Sequence, residues 1–259
     1  MVNDVVSELE QILIDFNGAY SSQLYTDLIV LSKQSRFDVY EYMKFIWSYY
    51  LIGGKKCTSF QQLEESLNND LKMFDYDRLS TRFKYTLSNL GSTGWSELCF
   101  FDRKTDKSNL ESLKLYLSVG NASLHKFANL FISECLLRGY TDFHFKVNDD
   151  EDKNRRDNVV IYCNEKNLNL YFGLTKRIIL QHPDIKLNAS HLLGVDLGNG
   201  IFLGRDPKDN SNSYTGILSN EIFDQLSRGR SCKRIVDMVE RVKAKTASEV
   251  NKLVLNSRR

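Results

Sequence analysis

The sequence is poor in the residues that build disulfide scaffolds and membrane spans. Among 259 residues it has two prolines and five cysteines, and no two cysteines form a CxxC pair, so no zinc site is expected. Apolar runs stay short of the ~18 residues of a spanning helix, and the first residues lack a secretion signal. Cysteines in apolar surroundings, as in "ELCFF", suit reduced thiols. We expect a cytoplasmic protein that uses no metal, no cofactor and no membrane partner.

Charge is nearly balanced along most of the chain. Lys and Arg number 35 against 33 Asp and Glu, a net charge of +2, which gives no indication of a nucleic-acid partner. The region from Arg228 to Arg259 is different, because it carries ten basic and three acidic residues. This excess predicts a basic C-terminal helix. The helix either has a solvated face or contacts a partner.

Hydrophobic periodicity predicts an α+β protein. Residues 1–91 have helical spacing and form a helical part. Residues 92–259 mix strands and helices and form an α+β catalytic part with the basic C-terminal helix. We expect the helical part to pack on a mixed, mainly antiparallel sheet with flanking helices, as one compact unit. A hairpin is predicted at Gly198-Asn199-Gly200. Further helices are predicted at 21–34, 37–54, 59–74 and 76–91.

The stretch "DFHFKV" predicts a strand with one chemical face. Side chains alternate in a strand, so Asp142, His144 and Lys146 share one face while two phenylalanines and a valine share the other. The phenylalanine face is expected to be the core side. In the next strand, "NVVIYC", Tyr162 lies near the end, and two arginines stand before the strand begins.

This pattern suits β-elimination of a phosphate ester. A base removes the α-proton of a phosphoserine or phosphothreonine, and an acid protonates the departing phosphate. His144 is the candidate acid because histidine titrates near neutrality. Lys146 is the leading candidate for the base, with Lys114 and Tyr162 as alternatives. Arg155 and Arg156 are candidates to bind the phosphate. The competing interpretation is an amphipathic edge strand with ordinary surface charges.

A second set of polar residues lies in "GIFLGRDPKDNSNSYTGIL". Arg205 ends a predicted strand, and a helix is expected to begin near Ile217. Backbone amides at a helix start together with an arginine form an anion site, so Arg205 joins the phosphate-binding candidates. Tyr214 is included because it can pack on this loop or donate a hydrogen bond. The competing interpretation is a plain polar loop.

With these residues in view, the chain resembles the family of type III effectors and lanthipeptide lyases, which includes lyase subunits of split (class V) lanthipeptide and thioamitide synthetases. The pieces that carry the resemblance extend from about residue 46 to 228. They are "IWSYYLIGG", "LSNLGSTGWSE", "DFHFKV", "RRDNVVIYC" and "GRDPKDNSNSYTG". The resemblance implies a phosphothreonine-lyase-like fold.

The resemblance also implies a function and partners. It implies a lyase that removes phosphate from phosphoserine or phosphothreonine in a precursor peptide, leaving dehydroalanine or dehydrobutyrine. A separate Ser/Thr peptide kinase and a cyclase would be its partners. In phosphothreonine lyases a lysine stands two residues before the histidine. That position is Asp142 here, and a lysine follows the histidine at Lys146, which leaves the base open. The alternative function is a non-catalytic phosphopeptide-binding or partner-binding protein, such as a secreted effector.

Overall fold

A computed structural model describes most of the second half of the chain and parts of the first. The described residues are 2–16, 24, 28–32, 83–89, 95–102, 112–138, 140, 143–148, 154–188, 190–207 and 213–256. The helices predicted at 37–54 and 59–74 lie outside these ranges.

Five helices and nine strands have both bounds within the described ranges, and Leu24, Leu28 and Ile29 are also helical. The helices are α1 (Val2–Asp15), α2 (Asn121–Leu137), α3 (Leu168–Gln181), α4 (Tyr214–Ser227) and α5 (Cys232–Asn256). The strands are β1 (Val30–Ser32), β2 (Phe83–Asn89), β3 (Trp95–Asp102), β4 (Leu113–Leu117), β5 (Phe143–Asn148), β6 (Asn154–Arg155), β7 (Val159–Cys163), β8 (Val195–Asp196) and β9 (Phe202–Arg205).

Seven of these strands form one antiparallel sheet. Their order is β2-β3-β5-β7-β4-β9-β8, and β1 pairs separately with β6. The predicted α+β class with a mainly antiparallel sheet is therefore confirmed.

Helices α2 and α3 cover the first face of the sheet. This face carries the odd-numbered residues of β4, β5 and β7, including Leu115, Phe145 and Ile161, each at most 2% exposed. Phe131 of α2 lies with its ring centroid 5.4 Å from that of Phe145. The alternation predicted for "DFHFKV" is present, because the phenylalanines are buried while His144 and its neighbour on the same face are half-buried.

Helices α1, α4 and α5 cover part of the second face. Their apolar side chains pack with Tyr116, Val160 and Phe202, which project from the even-numbered positions of the sheet. The long helix α5 contributes to both cores, because Val239 belongs to the second and Val250 to the first. It also contacts β8, the edge strand, so it shields an edge that could otherwise pair with another chain.

Two local predictions had different outcomes. The hairpin is confirmed, and its three residues all have positive φ (84° at Gly198, 57° at Asn199 and 72° at Gly200), which glycine and asparagine tolerate best. The helix predicted at 76–91 is wrong over β2, because Phe83 to Asn89 pairs along its length with β3. In this segment tertiary pairing outweighs local propensity.

Candidate active site

The register of four strands places three of the chemically important residues in one row. His144 of β5 is opposite Tyr162 of β7, Tyr162 is opposite Lys114 of β4, and Lys114 is opposite Gly204 of β9. Opposite residues on antiparallel strands point to the same face. Lys146 lies two residues beyond His144 on that face. The row lies on the second face, where Tyr162 packs against the edge of the helix-covered core.

Tyr162 is the centre of this group. The ring of His144 stacks on the Tyr162 ring, with centroids 3.9 Å apart and planes within 9° of parallel. The ammonium groups of Lys114 and Lys146 lie 5.1 Å and 5.7 Å from the same ring centroid, within cation–π range. An imidazole, a phenol and two primary amines therefore converge on one small surface. That surface can both move protons and attract an anion.

Asp206 follows β9, at the end of the row away from His144, and contacts Lys114. Its carboxylate forms an ion pair with Lys114, and both side chains are about nine-tenths buried. The other carboxylate oxygen accepts a hydrogen bond from the backbone N–H of Tyr214 at 2.8 Å. Sequence reasoning missed Asp206, although it stands beside Arg205 in a loop already identified as polar.

The start of α4 is the predicted anion site, but backbone N–H groups there already donate hydrogen bonds to side chains of the same chain. Asp206 accepts the Tyr214 N–H, and the Ser213 side chain accepts the Gly216 N–H at 3.2 Å. The helix begins at Tyr214, three residues before the predicted start. Because a carboxylate already lies at these amides, this helix start is not an open site for a phosphate.

Tyr214 turns its hydroxyl away from the row. The hydroxyl donates to the backbone oxygen of Leu193 at 3.0 Å, and burial raises the pKa of Tyr214 to about 12. Its ring, together with that of Tyr116, instead packs against the backbone of Gly204. Tyr214 therefore supports the row through packing and through its backbone N–H.

The paired arginines before β7 lie at the other end of the strand from Tyr162. Arg156 lies in the turn before β7, and the strand from Val159 to Tyr162 alone spans about 10 Å. Its guanidinium donates to Glu8 of α1 at 2.6 Å and to the backbone oxygen of Ser190 at 3.4 Å. Arg155 donates to both carboxylate oxygens of Asp157, at 2.8 Å and 3.3 Å. The expected cluster of Arg155 and Arg156 with His144 is not formed, because both are buried in contacts that join other segments.

Arg205 lies on the opposite face of the sheet. It is opposite Leu113, which belongs to the first core, whereas its neighbour Gly204 is in the row. Its guanidinium donates to Glu249 of α5 at 2.7 Å. Side-chain alternation therefore separates Arg205 from His144, which is also three strands, or about 14 Å, away across the sheet.

Two buried polar side chains, His191 and Tyr116, lie beside the row on the side of the second core. His191 is fully buried and stacks on Tyr116, with ring centroids 4.7 Å apart. Among the residues that the structure describes, neither ring nitrogen of His191 has a hydrogen-bond partner, and the Tyr116 hydroxyl has none. Burial lowers the pKa of His191 to about 4 and raises that of Tyr116 well above its usual value. Both side chains are therefore uncharged near neutral pH.

The described residues include neither a candidate metal site nor a candidate membrane span. Within these ranges no three His, Cys, Asp or Glu side chains are grouped so that they could hold a metal ion. No helix there is long and apolar enough to cross a membrane. The three cysteines whose side chains are described, Cys135, Cys163 and Cys232, are not in disulfides.

The sequence matches no protein-family model and no curated protein. Solved structures do share the fold. An effector protein from Pseudomonas syringae pv. syringae strain 61 gives a TM-score of 0.54 at 10% identity, covering 92% of this chain and 93% of that chain. An effector protein from Pseudomonas syringae pv. tomato strain DC3000 gives 0.55 at 9% identity, covering 93% and 92%. The chain therefore has the fold of these effector proteins, and its chemistry must be argued from its own residues.

Proposed function

We propose that this protein is a phosphoserine or phosphothreonine lyase that acts on a phosphorylated peptide. The observation that carries the proposal is the row in which His144 stacks on Tyr162 between the amines of Lys114 and Lys146. Elimination requires a base, an acid and positive charge around a dianion, and this row supplies all three. Reduced thiols in the core suit a reducing compartment such as the cytoplasm, where a peptide kinase would supply the substrate.

The reaction assigns one step to each group. The base removes the α-proton, the electron pair of that C–H bond forms the Cα=Cβ double bond, and the Cβ–O bond breaks toward the phosphate. His144 donates a proton to the departing phosphate oxygen. The products are a dehydroamino acid residue and inorganic phosphate. No metal or cofactor takes part in this scheme.

The two lysines are given different roles because their surroundings differ. Lys114 is paired with the Asp206 carboxylate, which fixes its ammonium beside the Tyr162 ring, whereas Lys146 reaches the same ring from β5. We therefore assign the base to Lys146 and phosphate neutralisation to Lys114. Tyr162 is the platform between them, and its hydroxyl is the alternative base. None of the three predicted arginines is needed at the phosphate in this scheme.

A specific observation favours a second candidate, a non-catalytic protein that binds a phosphopeptide or another partner. Arg155, Arg156 and Arg205, the three arginines predicted to bind the phosphate, all pair with carboxylates of the chain itself. Such a protein would bind the phosphate through the lysines and the histidine, and it would release no product.

A phosphopeptide elimination assay read by mass spectrometry separates the two candidates. The lyase converts the peptide to a product lighter by one phosphoric acid, whereas the binding protein leaves the mass unchanged. Lys146→Ala should lower turnover about 10²–10⁴-fold, and Lys114→Ala should mainly weaken substrate binding. Tyr162→Phe keeps the ring and tests the hydroxyl. Lys176→Ala, an exposed lysine on α3, is the control and should keep full activity. Phosphopeptide binding without any mass change would reject the lyase.

A further inference from the structure

Helix α5 carries a line of basic side chains on its outer side, of which Lys245 pairs with Glu249 at 3.9 Å. Arg234, Arg241, Lys245 and Lys252 are exposed, and their spacings of seven, four and seven residues place them within an arc of about 40° around the helix. We call these four residues the basic stripe. It is about 27 Å long at 1.5 Å per residue. The apolar side of α5 packs on the cores, so the orientation of the stripe is fixed.

The stripe begins in a cleft between α4 and α5. The cleft has a volume of about 560 Å³ and contains three arginines, with Ile235 and Met238 as apolar lining. Arg230, Arg234 and Arg241 make no ion pair within the described part of the chain. Most other arginines there, such as Arg156 and Arg205, are paired with carboxylates. No carboxylate within the described ranges therefore forms an ion pair with these three guanidinium groups.

The lining of the cleft favours a peptide over a nucleic acid. Glu221 and Asp237 also line the cleft, and no aromatic side chain from the described ranges does. A nucleic acid brings a phosphate at every nucleotide and gains affinity from stacking on aromatic rings, so the two carboxylates would oppose it. A peptide can place its acidic side chains beside the arginines only. Its apolar side chains can lie on Met238, which is partly exposed.

We propose that the cleft and the basic stripe bind an extended acidic segment of a polypeptide. Arg234 and Arg241 are two helical turns apart, about 10 Å, which matches the distance between acidic residues three positions apart in an extended chain. A segment of about eight residues covers the whole stripe. This surface is separate from the row around Tyr162, and the proposal does not depend on the row being catalytic.

Fluorescence anisotropy with a labelled peptide tests the surface directly. The probe has glutamate at every third position and aliphatic residues between, with no phosphate. The double variant Arg234→Ala/Arg241→Ala should weaken binding about three- to tenfold, since each exposed pair contributes little by itself. Arg234→Glu/Arg241→Glu should abolish it. Binding should also weaken as salt is added.

The control variant is Lys166→Glu/Lys176→Glu, which changes two exposed lysines away from the stripe. It should bind like the parent protein, and circular dichroism should show that all variants are folded. Equal weakening by both reversals would overturn the proposal, because binding would then follow net charge alone. A glutamine version of the probe that binds equally well would also overturn it. So would an oligouridylate that binds more tightly than the glutamate peptide.

Discussion

Gly204 gives the sharpest test of how the row is built. A Cβ atom at this position would lie 2.7 Å from Tyr116 Cε2 and 2.7 Å from Tyr214 Cδ1. Both rings belong to tyrosines that are at most 7% exposed, so neither can swing away without disturbing the second core. The row therefore requires glycine here because two buried rings close over the backbone of β9.

Two effects of Gly204→Ala oppose each other. Replacing glycine in a strand gains about 0.5–1 kcal/mol, because the unfolded chain loses freedom. Each ring would be about 0.7 Å inside ordinary contact distance, and such overpacking costs about 1–3 kcal/mol. We expect the clash to dominate and the free energy of unfolding to fall by about 1–2 kcal/mol. Gly173→Ala is the matched control, since a Cβ there meets nothing within 4 Å.

The assay is equilibrium urea unfolding of both alanine variants. Gly173 is exposed in α3, so its replacement should raise the free energy of unfolding by about 0.5–1 kcal/mol. The two substitutions are chemically identical and should have opposite signs. If Gly204→Ala is as stable as the parent, then the rings of Tyr116 and Tyr214 do not pack tightly on the backbone of β9 at Gly204. The packing contact by which Tyr214 supports the row would then be incorrect.

Three further substitutions test the surrounding contacts. Asp206→Asn should lower the free energy of unfolding by about 2–3 kcal/mol, because it leaves the mostly buried Lys114 without its counter-charge; unchanged stability by urea unfolding would reject this pair. Arg156→Ala should cost about 1–3 kcal/mol through loss of the Glu8 pair, and in the elimination assay it should keep full turnover per folded molecule. His191 has its pKa lowered to about 4, so below pH ~6.5 the unfolded chain binds a proton that the folded one does not, and stability is lost as pH falls. From pH 7 to pH 5 this loss should be about 2 kcal/mol, and His191→Phe should remove that part of the pH dependence; an identical pH slope in the variant would contradict the buried, uncharged state.

Local patterns predicted those features that depend on alternation and turn chemistry. The period of two in "DFHFKV" correctly separated the core face of β5 from the face of His144. The glycines around Asn199 predicted the hairpin between β8 and β9. The same alternation is present in "FKYTLSN", where Phe83, Tyr85 and Leu87 alternate with polar residues, yet we predicted a helix. The strand depends on its pairing with β3, which the local pattern does not show.

Ion-pair partners could not be predicted, because they depend on which distant segments meet. Arg156 pairs with a glutamate 148 residues away, and Arg205 with one 44 residues away. The residues next to an arginine in the sequence do not show whether its guanidinium binds substrate or pairs with a carboxylate of a distant helix. Asp206 was not predicted for the same reason, because its contact with Lys114 requires β4 and β9 to be neighbours.

Turnover of a phosphopeptide by His144→Ala tests the central claim most directly. If His144 protonates the departing phosphate, the folded variant should eliminate phosphate about 10²–10⁴-fold more slowly than the parent protein, with circular dichroism matching the parent. Parent-level turnover in a folded His144→Ala protein would contradict the account, and the row around Tyr162 would then be an ordinary polar edge of the sheet.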